Sequence, residues 1–215
     1  MNAKRPPVTR RQMLRIATVA GFFLALPGRA WSALSPTAYQ PRGPFYPDQL
    51  PLDDDNDLVR VQGNAELAKG EVTDLSGRIL DTKGQPVAGA LVEIWQCDAN
   101  GRYLHRLDDR RVERDSGFQG YGRYTTAADG RYRFRTIKPV PYPGRAPHIH
   151  FSVSAPGRPP LVTQMYVAGA PENSRDWLLN AVTDEAARER LIVAFEPAPD
   201  PGTAALQARF DLVLA

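Results

Sequence analysis

Cysteine is nearly absent: the chain has one, Cys97, in 215 residues. A single thiol excludes an internal disulfide framework and any thiolate-based zinc module. Histidine is almost as scarce, and His105, His148 and His150 are all that a histidine-based metal site could draw on. The apolar stretch from Ile16 to Gly28 is 13 residues long, short of the roughly 20 that a membrane-spanning helix needs. Three common catalytic signatures are missing as well: G-x-x-x-x-G-K-[ST], H-E-x-x-H and G-x-S-x-G. Cys97 has no histidine within its own segment to activate it as a nucleophile, although a distant one could fold near.

What is present points to a globular β-rich protein. Hydrophobic residues make up 42% and charged residues 24%, enough to bury a core. Pro (20) and Gly (17) punctuate the chain too often for long helices and favour short strands joined by turns. The net charge of +3 is misleading, because six basic residues (Lys4, Arg5, Arg10, Arg11, Arg15, Arg29) lie within residues 1–32, before the first acid, Asp48. Without that segment 21 basic residues face 24 acidic ones. Nucleic acid is therefore not an expected partner.

Residues 1–32 read as a basic start, an apolar stretch and a short polar exit, the layout of a signal peptide. Thr9-Arg10-Arg11-Gln12-Met13-Leu14-Arg15 resembles a twin-arginine export signal, with the arginine pair directly before the apolar stretch. Ala30-Trp31-Ser32 places cleavage near Ser32. The expectation is export to the periplasm or beyond through the twin-arginine pathway, with no membrane attachment of the mature form. Such signals are associated with cargo that folds before export, often around a cofactor.

Residues 33–70 are Pro-rich and irregular, and Asp53-Asp54-Asp55 lacks the ligand spacing of a calcium loop. From residue 71 onward alternating apolar patterns predict strands over Val72 to Leu80, Ala88 to Trp95, Gly130 to Ile137, His148 to Val153, Leu161 to Val167, Leu191 to Phe195 and Leu206 to Leu214. Asp81 to Pro86 is the turn between the first two. Thr183 to Arg190 predicts one short helix capped by Thr183. The expected fold is all-β: a single antiparallel β-sandwich over residues 71–215, with one short helix and long loops.

Chemistry concentrates in Pro147-His148-Ile149-His150-Phe151. On a strand, residues i and i+2 share a face, so His148 and His150 present two imidazoles side by side while Ile149 points to the other face. Paired histidines on a strand recur in metal sites, yet H-x-H alone is weak, and the shell needs completing. No third histidine follows His150. Tyrosine is the abundant remaining donor: Tyr103, Tyr121, Tyr124, Tyr132, Tyr142 and Tyr166 all lie near in sequence. A phenol with a reference pKa of ~10 binds as phenolate only to a strongly Lewis-acidic ion, such as Fe(III). Any one of these tyrosines could equally be sheet packing. Trp95 and Cys97 read as core, His105 as a loop residue near the site, and Asp108 to Asp115 (DDRRVERD) as a solvated, self-paired loop that could help cover the site mouth.

Several ordered blocks carry a family resemblance. Gly43-Pro44-Phe45-Tyr46-Pro47, Gly77 to Tyr103, Asp129 to Pro139, Pro141-Tyr142-Pro143 and Arg145-Ala146-Pro147-His148-Ile149-His150 resemble the intradiol ring-cleavage dioxygenases, in particular their protocatechuate 3,4-dioxygenase-like branch. The helical N-terminal dimerisation region of catechol 1,2-dioxygenases has no counterpart here. The resemblance implies one non-haem Fe(III) per chain held by Tyr103, Tyr142, His148 and His150, with Tyr103 and His148 equatorial and Tyr142 and His150 axial. It implies a catalytic role for Tyr142, which would leave the metal as base, and for Arg145, which would bind substrate and stabilise developing charge. Gln164 matches, less securely, a glutamine lining the substrate pocket. The implied activity is cleavage of a catechol-type aromatic diol with O2 to a cis,cis-muconate-type diacid. Homo-oligomerisation stays open.

The stretch from Tyr142 to His148 is shorter than in many protocatechuate enzymes, which leaves the pocket rim and the particular catechol undetermined. Two other readings compete. One is a metal-binding relative acting on something other than a simple catechol. The other is a non-catalytic exported scaffold of the transthyretin or carboxypeptidase-regulatory kind, suggested by Gly77 to Trp95. A scaffold has no reason to carry the full tyrosine and histidine set.

Overall fold

The computed structural model describes residues 33–51, 53–200 and 202–215. The expected signal peptide, residues 1–32, lies outside them. No helix among the described residues is long and apolar enough to cross a membrane.

The described chain is nearly all β, with ten strands in two five-stranded sheets. The first sheet is built on β1 (Val72–Asp81). Its Thr73, Leu75, Gly77 and Ile79 point inward while Asp74 and Ser76 are exposed, the period of two that one buried face imposes. β4 (Arg131–Ile137) pairs antiparallel along one edge of β1, from Val72↔Ile137 to Arg78↔Arg131. The other edge is shared by β9 (Leu206–Arg209) and β10 (Leu212–Leu214), and β8 (Phe195–Pro197) pairs with β9. The second sheet runs β3-β2-β5-β6-β7, with β2 at Leu91–Trp95, β3 at Tyr121–Thr125, β5 at His148–Ser154, β6 at Leu161–Val167 and β7 at Ile192–Val193.

The sandwich is not purely antiparallel, as the sequence led us to expect: β1 pairs in parallel with both β9 and β10, and β6 with β7. The run Leu206 to Leu214 is two strands because the chain steps along β1 at Phe210, whose N–H donates to the Ser76 carbonyl. Gly77 permits that step, since a Cβ there would lie 2.0 Å from the Phe210 carbonyl oxygen. Leu191 to Phe195 likewise divides into β7 and the start of β8. β3 was not foreseen. Among the described residues there are two short helices rather than one, α1 (Trp177–Asn180) and α2 (Glu185–Glu189), and a 3-10 turn at Pro171–Ser174. The cap of α2 is Asp184, which accepts from the Ala187 N–H, and not Thr183.

Between the sheets lies one apolar core that includes Leu75, Ile79, Val92, Ile94, Phe134, Ile149, Phe151, Val153 and Met165. Leu58 and Val59, from the irregular segment, are fully buried in the same core. Because strand side chains alternate, packing Ile149, Phe151 and Val153 inward turns His148, His150 and Ser152 to the outer face of the second sheet. That face is not solvated: six of the seven residues of β5 are buried. Loops from both sides cover it, and a second apolar cluster of Trp95, Cys97, Tyr103 and Tyr121 fills the space beneath them.

Candidate metal centre

Strand register brings the outer face together. His150 sits opposite Trp95 of β2 and Gln164 of β6, and His148 sits opposite Tyr166. Two loops close over this row. The segment after β2 delivers Tyr103, whose N–H is held by the Asp108 carboxylate at 2.7 Å. The segment after β4 delivers Tyr142 and Arg145, in a tight turn where the Arg145 N–H donates to the Tyr142 carbonyl at 2.9 Å.

Four donor atoms converge. Tyr103 Oη is 3.2 Å from His148 Nε2 and 3.1 Å from His150 Nε2. The two Nε2 atoms are 3.2 Å apart, and Tyr142 Oη is 3.5 Å from His148 Nε2. Donors bound at about 2 Å to a single ion stand about 3 Å apart, so this grouping has the size of a coordination shell. The four predicted ligands are brought together, and no other tyrosine of the candidate group joins them: Tyr121 bonds Glu93, Tyr132 bonds the Phe210 carbonyl, and Tyr166 bonds Gln40. Among the described residues no cluster of three or more His, Cys, Asp or Glu gathers, so the two histidines are completed by phenols.

The protonation states suit a cation. His148 Nδ1 lies 2.6 Å from the Ala146 carbonyl, which can only accept, so Nδ1 carries the proton and Nε2 offers its lone pair to the centre. Burial, reinforced by Arg145, pushes the His148 pKa down to about 3, and burial with His148 and Arg145 nearby holds His150 well below its ordinary value. Both imidazoles are thus neutral, as a metal ligand would have to be. Burial raises both phenols, Tyr103 strongly, with Tyr142 reinforcing it. An ion that binds here must displace two tightly held protons, which selects a hard, strongly Lewis-acidic cation. Fe(III) fits that donor set.

A cavity of about 520 Å³ opens beside the donors, lined by Tyr142, Gly144, Arg145, Glu172, Arg175 and Asp176. That volume suits a small aromatic molecule. Arg145 is fixed from three sides: Nε donates to Asp176 at 2.9 Å, and Nη2 donates to Gln164 at 2.6 Å and to Tyr166 Oη at 3.3 Å. Gln164 is fully buried beside His150 and meets Arg145; the residues lining this cavity do not include it. His105 is not one of the converging donors; it lies with Asp48 and Arg106 in a second groove that Tyr103 also lines, its ring beside Phe45.

Two functional residues escaped sequence reasoning. Asp176 accepts from Arg145 Nε, the Ala146 N–H and the Leu178 and Leu179 N–H groups, so one buried carboxylate caps α1 and orients Arg145. Its signal was legible as an aspartate directly before Trp177-Leu178-Leu179, a helix start. Arg110 belongs to the run that reads as a solvated, self-paired loop able to help cover the site mouth. Asp108 and Asp115 of that run are in fact buried, and the Arg110 guanidinium lies 4.6 Å over the Tyr142 ring.

A family model described as dioxygenase matches residues 42–215. The chain is similar to the protocatechuate 3,4-dioxygenase beta chain of Burkholderia cepacia, 44% identical over 177 residues that cover 78% of this chain and 73% of the relative. It is 34% identical to the hydroxyquinol 1,2-dioxygenase of Corynebacterium glutamicum, over 80% of this chain and 62% of that longer protein. Among solved structures it resembles the dioxygenase domain of a carbohydrate-binding fusion from Streptomyces sp. SirexAA-E, with TM-score 0.63, 32% identity, and coverage of 84% of this chain and 98% of the domain. The catechol 1,2-dioxygenase of Acinetobacter sp. ADP1 superposes with TM-score 0.62 at 27% identity, over 83% of this chain and 62% of that one.

Proposed function

We propose a function on the premise that this chain belongs to the intradiol ring-cleavage dioxygenase family: it cleaves a catechol-type aromatic between its two hydroxyl-bearing carbons, with O2, to a cis,cis-muconate-type diacid. The observation that carries this reading is the convergence of Tyr103 Oη, Tyr142 Oη, His148 Nε2 and His150 Nε2 beside a cavity lined by Arg145. These four residues would hold one Fe(III). A ferric ion there would supply the Lewis acidity that lets phenols bind as phenolates and that activates an aromatic diol toward O2.

The chain's own residues have separable tasks. His148 and His150, neutral and buried, stay in place through the reaction. Tyr142 is half-buried and lines the cavity that holds Arg145, whereas Tyr103 is buried and does not line it, so Tyr142 is the phenol that an incoming diol would meet. Its Oη takes the proton of an incoming diol hydroxyl, which is general-base work. Arg145, a permanent cation held by Asp176 and Gln164, stabilises the negative charge that develops on the ring. Trp95 stacked on His150 and Phe45 stacked on Tyr103 hold two of the donor rings in place.

The product, the choice among catechol, protocatechuate, hydroxyquinol and related diols, and export through a twin-arginine signal in residues 1–32 to the periplasm belong to the same proposal. Replacing Arg10-Arg11 by Lys-Lys should abolish export of the full chain in cell fractionation; unimpaired export would refute that route.

The test of the activity is a visible absorption spectrum of the purified protein with its iron content, then the same sample with catechols added under nitrogen. One iron per chain, a tyrosinate-to-Fe(III) band, and a shift of that band by a binding diol are expected. Admitting O2 should then consume the diol and release a diacid. A colourless protein that cannot be loaded with iron would overturn the reading and leave a non-catalytic sandwich.

A further inference from the structure

Arg110 stands in an aromatic cage. Its Cζ lies 4.6 Å from the Tyr142 ring centroid, 5.7 Å from that of Phe45 and 5.9 Å from that of Tyr103. The guanidinium is locked there by Asp108, which accepts from Nε at 2.7 Å and also from Nη2. The same carboxylate takes the Tyr103 N–H, so one buried acid ties the loop of one donor phenol to the cation over the other. Nε and Nη2 are used in that pair, and Nη1 is buried with no hydrogen-bond partner among the described residues.

A paired arginine with an idle, buried nitrogen against a phenol ring is more than a loop anchor. A loop anchor is satisfied by the Asp108 contact alone and gains nothing from desolvating its remaining donor. A cation over a ring face attracts the π electrons, and more strongly when that ring carries a phenolate. We propose that Arg110 is a positioning residue for Tyr142: its charge holds the ring in place and lowers the energy of the phenolate electrons that Tyr142 presents to a bound metal. Arg145 and Arg110 then divide the cationic work, Arg145 serving the substrate side and Arg110 the ligand phenol. This inference rests on the Fe(III) reading for its spectroscopic consequence and on geometry alone for its structural one.

Two measurements separate the two foundations. In metal-free protein, proton NMR should show the Arg110 δ-methylene shifted upfield by the ring current of Tyr142, and Tyr142→Leu should reduce that shift. A δ-methylene at ordinary positions in the wild type would overturn the proposal whether or not the protein takes iron. In the Fe(III)-loaded protein, Arg110→Gln should move the tyrosinate charge-transfer band to longer wavelength by tens of nanometres, because a phenolate without its cation gives up an electron more easily. Iron retention against a chelator should weaken about tenfold. Arg110→Lys, which keeps a cation and a partner for Asp108, should restore much of the band position. A band unmoved in a folded Arg110→Gln protein would reduce Arg110 to a structural role. A wild type that shows the ring-current shift but takes no iron would remove the ferric reading and leave the positioning of the Tyr142 ring standing.

Discussion

Trp95 and His150 lie face to face, their ring centroids 4.8 Å apart and their planes 6° from parallel. The contact follows from register, since the two residues are directly opposed on β2 and β5 and share the outer face of the sheet. It matters because no hydrogen bond orients the His150 ring through its second nitrogen: Nδ1 is buried without a hydrogen-bond partner among the described residues. The Trp95 Nε1 is equally unpartnered, so neither ring is oriented by a hydrogen bond through that nitrogen. His148 contrasts with this arrangement, being fixed by the Ala146 carbonyl. One imidazole is held through its second nitrogen and the other by a stacked indole.

Trp95→Leu should therefore free the His150 ring while leaving His148 in place. Groups that orient a metal-ligating histidine are worth roughly 10- to 100-fold in metal affinity. We expect a loss of about tenfold in iron retention against a chelator, with Trp95→Phe, which preserves a stacked ring, nearer the wild type. Circular dichroism on the metal-free variants separates this from unfolding. Equal iron retention in Trp95→Leu and wild type would show that the stack does not orient the ligand.

Asp176 joins stability to chemistry. Its carboxylate is fully enclosed, caps α1 and pairs with Arg145. Removing one partner of such a buried pair costs about 3–5 kcal/mol. Asp176→Asn keeps the shape and the capping oxygen while removing the charge. It should remain folded with a lower melting temperature, and its kcat should fall more than its KM rises, because Arg145 would lose orientation rather than contact. An Asp176→Asn protein with wild-type kcat would show that Gln164 and Tyr166 suffice to hold Arg145.

Much of this architecture was legible in the chain. Six of the seven residues of Leu161 to Val167 are buried, so that strand is marked by its β-branched and aromatic residues and not by alternation. Alternation along Val72 to Leu80 located its strand because one face is buried and the pattern records it. The histidine pair was legible for the same reason, since i and i+2 must share a face. β3 was missed because Tyr121-Gly122-Arg123-Tyr124-Thr125 carries little alternation. Its burial is imposed from outside: Leu58 and Asp55 press so closely on Gly122 that a Cβ there would lie 2.5 Å from each. The charged run around Arg110 misled in a similar way. Its composition is that of a solvated loop, and only the folded chain buries Asp108 and brings its partner Arg110 against the rings of Tyr142, Phe45 and Tyr103. The linkage of Asp176 to Arg145, 31 residues apart, is tertiary and has no local signature beyond the helix cap.

Gly43 tests how tightly the site is enclosed. It adopts φ of +75°, in the left-handed region, and a Cβ there would sit 3.4 Å from His150 Cε1. Gly43→Ala should cost about 1 kcal/mol or more from the backbone conformation alone, and it would set a methyl against a ligand ring. The expected result is a lower melting temperature together with a shifted charge-transfer band in the iron-loaded protein. A drop in stability with an unshifted band would confine Gly43 to a role in the turn.

Asp81 gives a pH test remote from the metal centre. In the turn after β1 it accepts from the Gln85 and Lys83 N–H groups and pairs with Arg158. The Gln85 bond is the leading cause, and together with the Lys83 bond and Arg158 it outweighs the opposing effect of burial, so its pKa lies below the ordinary carboxylate value of 3.8. A carboxyl that titrates lower when folded binds fewer protons folded than unfolded in the window between its two pKa values. Its contribution is therefore complete above the unfolded pKa and is lost as pH falls through the folded one. Asp81→Asn should melt below the wild type at pH 7, and the gap should narrow as pH drops beneath the ordinary carboxylate range. A gap that stays constant down to pH 2 would mean that the turn depends on the shape of the side chain and not on its charge.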